Sequence, residues 1–141
     1  RLDVSVNLLT MQALTNKIIN VYGGKQTRPN INIHDMIGVY KHFLKNSEIE
    51  SGFFNAGFEN ISILDMAKKI QSKIPSEIKI TSSNDPRSYR QNSNKLIATG
   101  FKQKYFIDDA IEEIMNKFND GKLSDNDIYY NIKVMKKIFS E

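Results

Sequence analysis

Arginine is scarce in this chain, and its placement is informative. Lysine and arginine together number 20, yet only Arg1, Arg28, Arg87 and Arg90 carry a guanidinium. A guanidinium presents its donors in a planar fork that meets phosphate or carboxylate two bonds at a time, whereas a lysine is a hydrated point charge. Arg28 lies in Val21-Tyr22-Gly23-Gly24-Lys25-Gln26-Thr27-Arg28-Pro29, between two β-branched runs, and Arg87 lies in Ser82-Ser83-Asn84-Asp85-Pro86-Arg87-Ser88-Tyr89-Arg90. Two forks that approach one dianion from two sides are what a diphosphate clamp needs. The plainer account of the second stretch is a solvent loop with an Asx turn at Asp85-Pro86. Arg90 stays open between the two.

Other chemistry finds little support. Tyr129-Tyr130-Asn131-Ile132-Lys133 contains Tyr-x-x-x-Lys, a spacing that sets a phenol and an ammonium on one helix face. Any two residues four apart on a helix face together, and no glycine-rich loop or partner serine precedes this pair, so it reads as a decoy. Zero cysteines and only His34 and His42 leave no thiolate site, no histidine-rich zinc cage and no nucleophilic triad. Asp108-Asp109 and Glu112-Glu113 sit where acids complement a helix start. A dinucleotide fold needs G-x-G-x-x-G at a strand-to-helix turn, and the sequence contains none.

With 141 residues, a net charge of +4, 40% hydrophobic and 26% charged side chains, residues 1–141 read as one soluble globular domain. The lysines are scattered among acids, and only Lys133, Lys136 and Lys137 cluster, so no nucleic-acid partner is expected. No apolar run approaches the roughly 20 residues of a membrane span, and no signal peptide is visible, so a cytoplasmic location is the default. The chain opens in mid-pattern at Arg1, with no initiator Met, as a piece of something longer would.

Short strands and about five or six helices, an α/β arrangement, must position the arginines. Apolar stripes Leu2, Val6, Leu9, Ala13 and Val4, Leu8, Met11 predict a first helix from about Asp3 to Asn16, covered on more than one side, with part of that cover missing. Asn7 among them is either a buried, satisfied amide or a substrate contact. Strands are expected at Ile18 to Tyr22 and Asn30 to Ile33, joined by a Gly23-Gly24 turn, then a helix starting at Asp35. On that helix Met36, Ile37, Tyr40, Phe43 and Leu44 share the inward face and His42 faces solvent. Gly52 to Gly57 reads as a short buried strand. Ser62-Ile63-Leu64-Asp65 caps a helix whose Ile63, Met66, Ala67, Ile70 and Ile74 are buried; Pro75 ends it, and a strand follows from Glu77 to Ile80. Ser93 opens a short helix that stops at Gly100. Ile107 to Phe118 forms the next helix, and a last one follows Asp127 with Ile128, Ile132, Met135 and Phe139 inward.

The stretch Val-Tyr-Gly-Gly-x-Gln-x-Arg-Pro-x-Ile-x-Ile-x-Asp, from Val21 to Asp35, resembles a segment of the extended short-chain dehydrogenase/reductases, the nucleotide-sugar epimerases and dehydratases. Phe54-Asn55-Ala56-Gly57, Asp85-Pro86-Arg87-Ser88-Tyr89, Lys95 and Thr99-Gly100-Phe101 continue the resemblance in order. It departs at Asn32, where the family usually has His, at His34, where an acid is common, and at Gln103, near which the family often has Pro. The resemblance implies the C-terminal, substrate-binding part of such a Rossmann-type enzyme, not catalytic alone. The half that binds NAD or NADP and the catalytic Tyr-x-x-x-Lys would lie upstream. It implies that Arg28 and Arg87 grip the diphosphate of a nucleotide sugar, that the Ile18 to Tyr22 strand borders the base with Tyr22 as its substrate-binding residue, that Asn7 touches phosphate or sugar, and that the full-length enzyme is a homodimer. The alternative is a noncatalytic α/β module that binds nucleotides or other proteins.

Overall fold

The computed structural model describes residues 1–85 and 87–140, so Pro86 of the expected Asx turn lies outside the described residues. In chain order the elements are α1 (Ser5–Asn16), β1 (Ile18–Tyr22), β2 (Thr27–Asn30), α2 (Ile33–Lys45), β3 (Glu59–Ser62), α3 (Ile63–Lys73), β4 (Glu77–Thr81), α4 (Asn94–Ala98), α5 (Ile107–Asn119) and α6 (Asn131–Phe139). A single 3-10 turn, Asp127–Tyr129, precedes α6. β1 and β4 pair in parallel, from Ile18 opposite Glu77 to Tyr22 opposite Thr81. β2 and β3 pair antiparallel, with Arg28 opposite Ile61. The fold is thus α/β, as expected.

The main core lies between α1, α3, α5 and the β1–β4 pair, where Met11, Ile19, Val21, Met66, Ile70 and Ile111 are almost completely buried. Each such side chain contributes about 1.5–3 kcal/mol by leaving water. α3 forms as its sequence dictates: the Ser62 hydroxyl accepts the Asp65 amide at 3.0 Å, and the stripe Met66, Ala67, Ile70 faces inward. α1 is covered on two sides, and largely by this chain itself: Leu2, Val6, Leu9, Met11, Ala13 and Leu14 are all buried. A second, aromatic cluster gathers Val39, Leu96 and Phe101 with Phe43, Phe54 and Phe58.

Several expectations are corrected. β2 ends at Asn30, and α2 begins at Ile33 because the Asn32 side chain accepts the His34 amide at 3.0 Å, capping the helix two residues before Asp35. Asp35 is drawn inward, its carboxylate accepting the Lys104 amide at 3.1 Å and the Tyr105 amide at 2.9 Å. The inward line of α2 therefore runs through Asp35 and Val39, and Ile33, Ile37, Tyr40 and Leu44 face out, Leu44 at 85% exposure. His42 is half-buried instead: its Nε2 is 2.8 Å from the Thr99 hydroxyl, and its ring packs against Phe43 and Phe101. Gly52 to Gly57 is not a strand, because no strand pairs with it. Phe53 is fully exposed, and the Gly57 amide donates to the Ser93 hydroxyl at 2.9 Å. α6 buries no residue; Ile128, Ile132, Met135 and Phe139 are exposed, since nothing among the described residues packs over that side.

Candidate functional site

Arg28 is fixed in β2, whereas Arg87 belongs to the irregular stretch between β4 and α4. Polar side chains hang that stretch on the β2–β3 pair. The Thr27 amide donates to the Ser88 hydroxyl at 2.9 Å. Asn60 of β3 brackets Gln91, accepting its amide at 2.8 Å and donating to its carbonyl at 3.0 Å. The buried Ser93 hydroxyl then donates to the Gly57 carbonyl at 3.0 Å. These bonds satisfy backbone groups that no ladder serves.

The result brings the two arginines together. Arg28 Nη1 donates to the Arg87 carbonyl at 2.6 Å and to the Thr27 carbonyl at 3.0 Å. The Tyr89 ring centroid lies 4.8 Å from the Arg28 guanidinium carbon, close enough for cation–π attraction. Arg87 donates from Nε and from Nη2 to the Asp85 carboxylate, each at 2.7 Å, and Arg28 Nη2 stands 4.0 Å from Asp85 Oδ2. One carboxylate thus sits by both cations. The Arg87 fork, helped by the Arg87 amide, holds the Asp85 carboxyl down at about 2, and Asp85 in turn raises Arg87. The Arg28 side chain is 18% exposed and that of Arg87 76%, so one fork is built in and the other reaches into solvent.

Tyr22 ends β1 opposite Thr81, at the root of the Arg87 stretch, and is largely exposed there. Asn7 lies elsewhere, in a cleft of about 650 Å³ between the start of α1, the β2–α2 junction and α5. Pro29, Asn30 and Asn32 share that cleft, so it adjoins the residue after Arg28. The Asn7 side-chain amide donates to the Arg1 carbonyl at 2.7 Å. The Tyr129–Lys133 pair is split: Tyr129 closes the 3-10 turn, while Lys133 in α6 binds Asp127 at 2.7 Å. Sequence reasoning missed Asp85 as a shared carboxylate, and Ser88, Asn60 and Ser93 as the hooks of the loop. The acid two residues before Arg87 was a signal for the first; the hooks gave none, because their partners are distant in sequence.

No protein-family model matches the chain. Among solved structures, ADP-L-glycero-D-manno-heptose-6-epimerase of Helicobacter pylori superposes with a TM-score of 0.68 at 15% identity, over 81% of this chain and 37% of that one. dTDP-glucose 4,6-dehydratase of Bacillus anthracis, in complex with NAD, gives 0.68 at 18% identity over 84% and 39%. UDP-N-acetylglucosamine 4-epimerase of Bacillus cereus gives 0.65 at 20% identity over 79% and 42%. The chain has the fold of the matching part of each of these enzymes. This chain spans about two-fifths of the length of those enzymes. Among the described residues no helix is long and apolar enough to cross a membrane.

Proposed function

We propose that this chain is the nucleotide-sugar-binding portion of an NAD(P)-dependent sugar epimerase or dehydratase serving surface-polysaccharide sugar synthesis in the cytoplasm. Residues 1–141 act as one substrate-binding domain, and the full-length enzyme is a homodimer. The observation that carries the proposal is the convergence of two guanidinium forks, one from a strand and one from a loop, beside a single anion. Arg28 and Arg87 neutralise the diphosphate, Tyr22 borders the base, and Asn7 contacts phosphate or sugar from the adjoining cleft. The names of the similar enzymes support this reading, since each carries a sugar joined to a nucleoside diphosphate.

The residues present do not fit the cofactor. Gly23 and Gly24 follow β1 but lead into β2 rather than into a helix, and the β3–α3 junction has no glycine and is capped by Ser62 with Asp65. A pyrophosphate would meet that carboxylate where backbone N–H groups are needed. This chain's residues bind and orient, and no step of hydride transfer is assigned to them.

The test is titration of the chain with a UDP-sugar and a dTDP-sugar by calorimetry. A charged hydrogen bond from Arg28 is worth about 1.5–3 kcal/mol, so Arg28→Ala weakens binding roughly ten- to a hundredfold. Arg87→Ala also weakens it, and lysine at either position restores only part, keeping charge but not the fork. Lys133→Ala leaves affinity at the parent value. If both arginine variants bind as the parent does, the proposed site is wrong.

A further inference from the structure

The Arg87 side chain is 76% exposed, yet it is not free. The half-buried Asp85 carboxylate accepts from Arg87 three times, from the backbone amide at 3.1 Å and from Nε and Nη2 at 2.7 Å each. The Asp85 amide itself donates to the Ser83 hydroxyl at 3.2 Å. Among the described residues, Arg87 Nη1 and Arg28 Nε and Nη2 have no hydrogen-bond partner, while Arg28 Nη1 is held by two carbonyls. The same carboxylate oxygen that takes Arg87 Nη2 stands 4.0 Å from Arg28 Nη2, so one unused donor of Arg28 lies beside it, while Arg87 Nη1 is left outside the fork.

We propose that Asp85 is a positioning residue for the clamp: it holds Arg87 by its Nε–Nη2 edge beside Arg28 and stays in place while a nucleoside diphosphate binds the remaining donors. This rests on the diphosphate reading of the two arginines given above. The alternative role, a competitor that the ligand displaces, is disfavoured by the bond pattern. Displacement would break the backbone bond to the Arg87 amide as well as the fork, only to gain an edge equivalent to the one already open. A long, solvated arginine loses rotamer freedom when a ligand orders it, and a side chain already ordered by Asp85 loses less. The Asp85 carboxyl, held at about 2 by the Arg87 fork, is charged near neutral pH, where the binding experiment is run, so the hold persists under binding conditions.

The experiment measures UDP affinity by calorimetry for the parent, Asp85→Asn, Asp85→Glu, Arg87→Ala, the Asp85→Asn/Arg87→Ala double variant and Arg28→Ala, with thermal melts to verify folding. Asp85→Asn keeps the shape and the Oδ1 acceptor but removes the charge, and it should weaken UDP binding roughly two- to tenfold, the scale of ordering one long side chain. Asp85→Glu should recover part of that loss. In the Arg87→Ala background Asp85→Asn should change nothing, because it acts through Arg87. Asp85→Asn binding as well as or tighter than the parent, or weakening binding equally without Arg87, would overturn the proposal. A parent that ignores UDP, or an Arg28→Ala variant equal to it, would sink the function reading instead. The Arg87 Nε–H resonance then decides the positioning claim without ligand: it should be protected from water exchange in the parent and lose that protection in Asp85→Asn, and an unprotected parent resonance would refute it.

Discussion

Asn60→Ala should unhook the arginine stretch while leaving the core intact. Asn60 makes two neutral hydrogen bonds to Gln91, at 2.8 and 3.0 Å, and the residue is half-buried. Each bond contributes about 0.5–1.5 kcal/mol net, and water can reach the freed Gln91 groups once the stretch lifts. A loss of about 1–2 kcal/mol therefore falls on local opening rather than on global unfolding. The Gln91 amide should exchange roughly 5- to 30-fold faster, the factor that such a free energy implies. Amides of α3, which contributes the buried Met66 and Ile70, should keep their rates. Hydrogen exchange followed by NMR reads both at once. Nucleoside-diphosphate affinity should fall in parallel, because Arg87 and Tyr89 are ordered through the same segment. Unchanged exchange at Gln91, or acceleration spread evenly over the protein, would refute the idea that Asn60 fastens this segment to β3.

Three further outcomes follow from the packing. Ile70→Ala, at a position with no exposed surface, should lower the unfolding free energy by about 2–5 kcal/mol in denaturant titrations. Burial and the hydrogen bond to Asp125 push the Tyr130 hydroxyl up to about 12. A raised folded value stabilises the fold below the ordinary tyrosine range and is lost as pH climbs through about 12; an ultraviolet titration should show one phenol ionising there, and Tyr130→Phe should remove that step. The outward row Ile33, Ile37, Tyr40 and Leu44 on α2 should drive concentration-dependent self-association in ultracentrifugation, which Ile37→Lys with Leu44→Lys should suppress.

The elements that depend on local signals were legible in the sequence. Ser62 and Asp65 sit at capping positions, so the start of α3 followed from its first four residues. β1 and β4 were bounded by Lys17 and Gly23 and by Pro75 and the serine-rich stretch, and both appear where expected. What periodicity could not give was whether a face would be covered. α2 and α6 are amphipathic as read, but their apolar rows lie outside, because Asp35 anchors α2 by two backbone amides and no described residue covers that side of α6. The site was legible as residue types and not as a geometry. Arg28 and Arg87 stood out by scarcity, whereas the bonds that join them run through Thr27, Asn60 and Gly57 to distant partners. Asp85 was visible as a turn former, and its role as the carboxylate beside both cations needed the folded loop.

The central claim, that two arginines recognise a diphosphate, is tested most directly by following the side-chain guanidinium resonances during parallel titrations with UDP, UMP and uridine. Arg28 and Arg87 should both shift and saturate with UDP, shift less with UMP and stay still with uridine, because the donors meet phosphate rather than base. The contrary result is a UDP response confined to the Lys133, Lys136 and Lys137 cluster, or arginine shifts as large with uridine as with UDP.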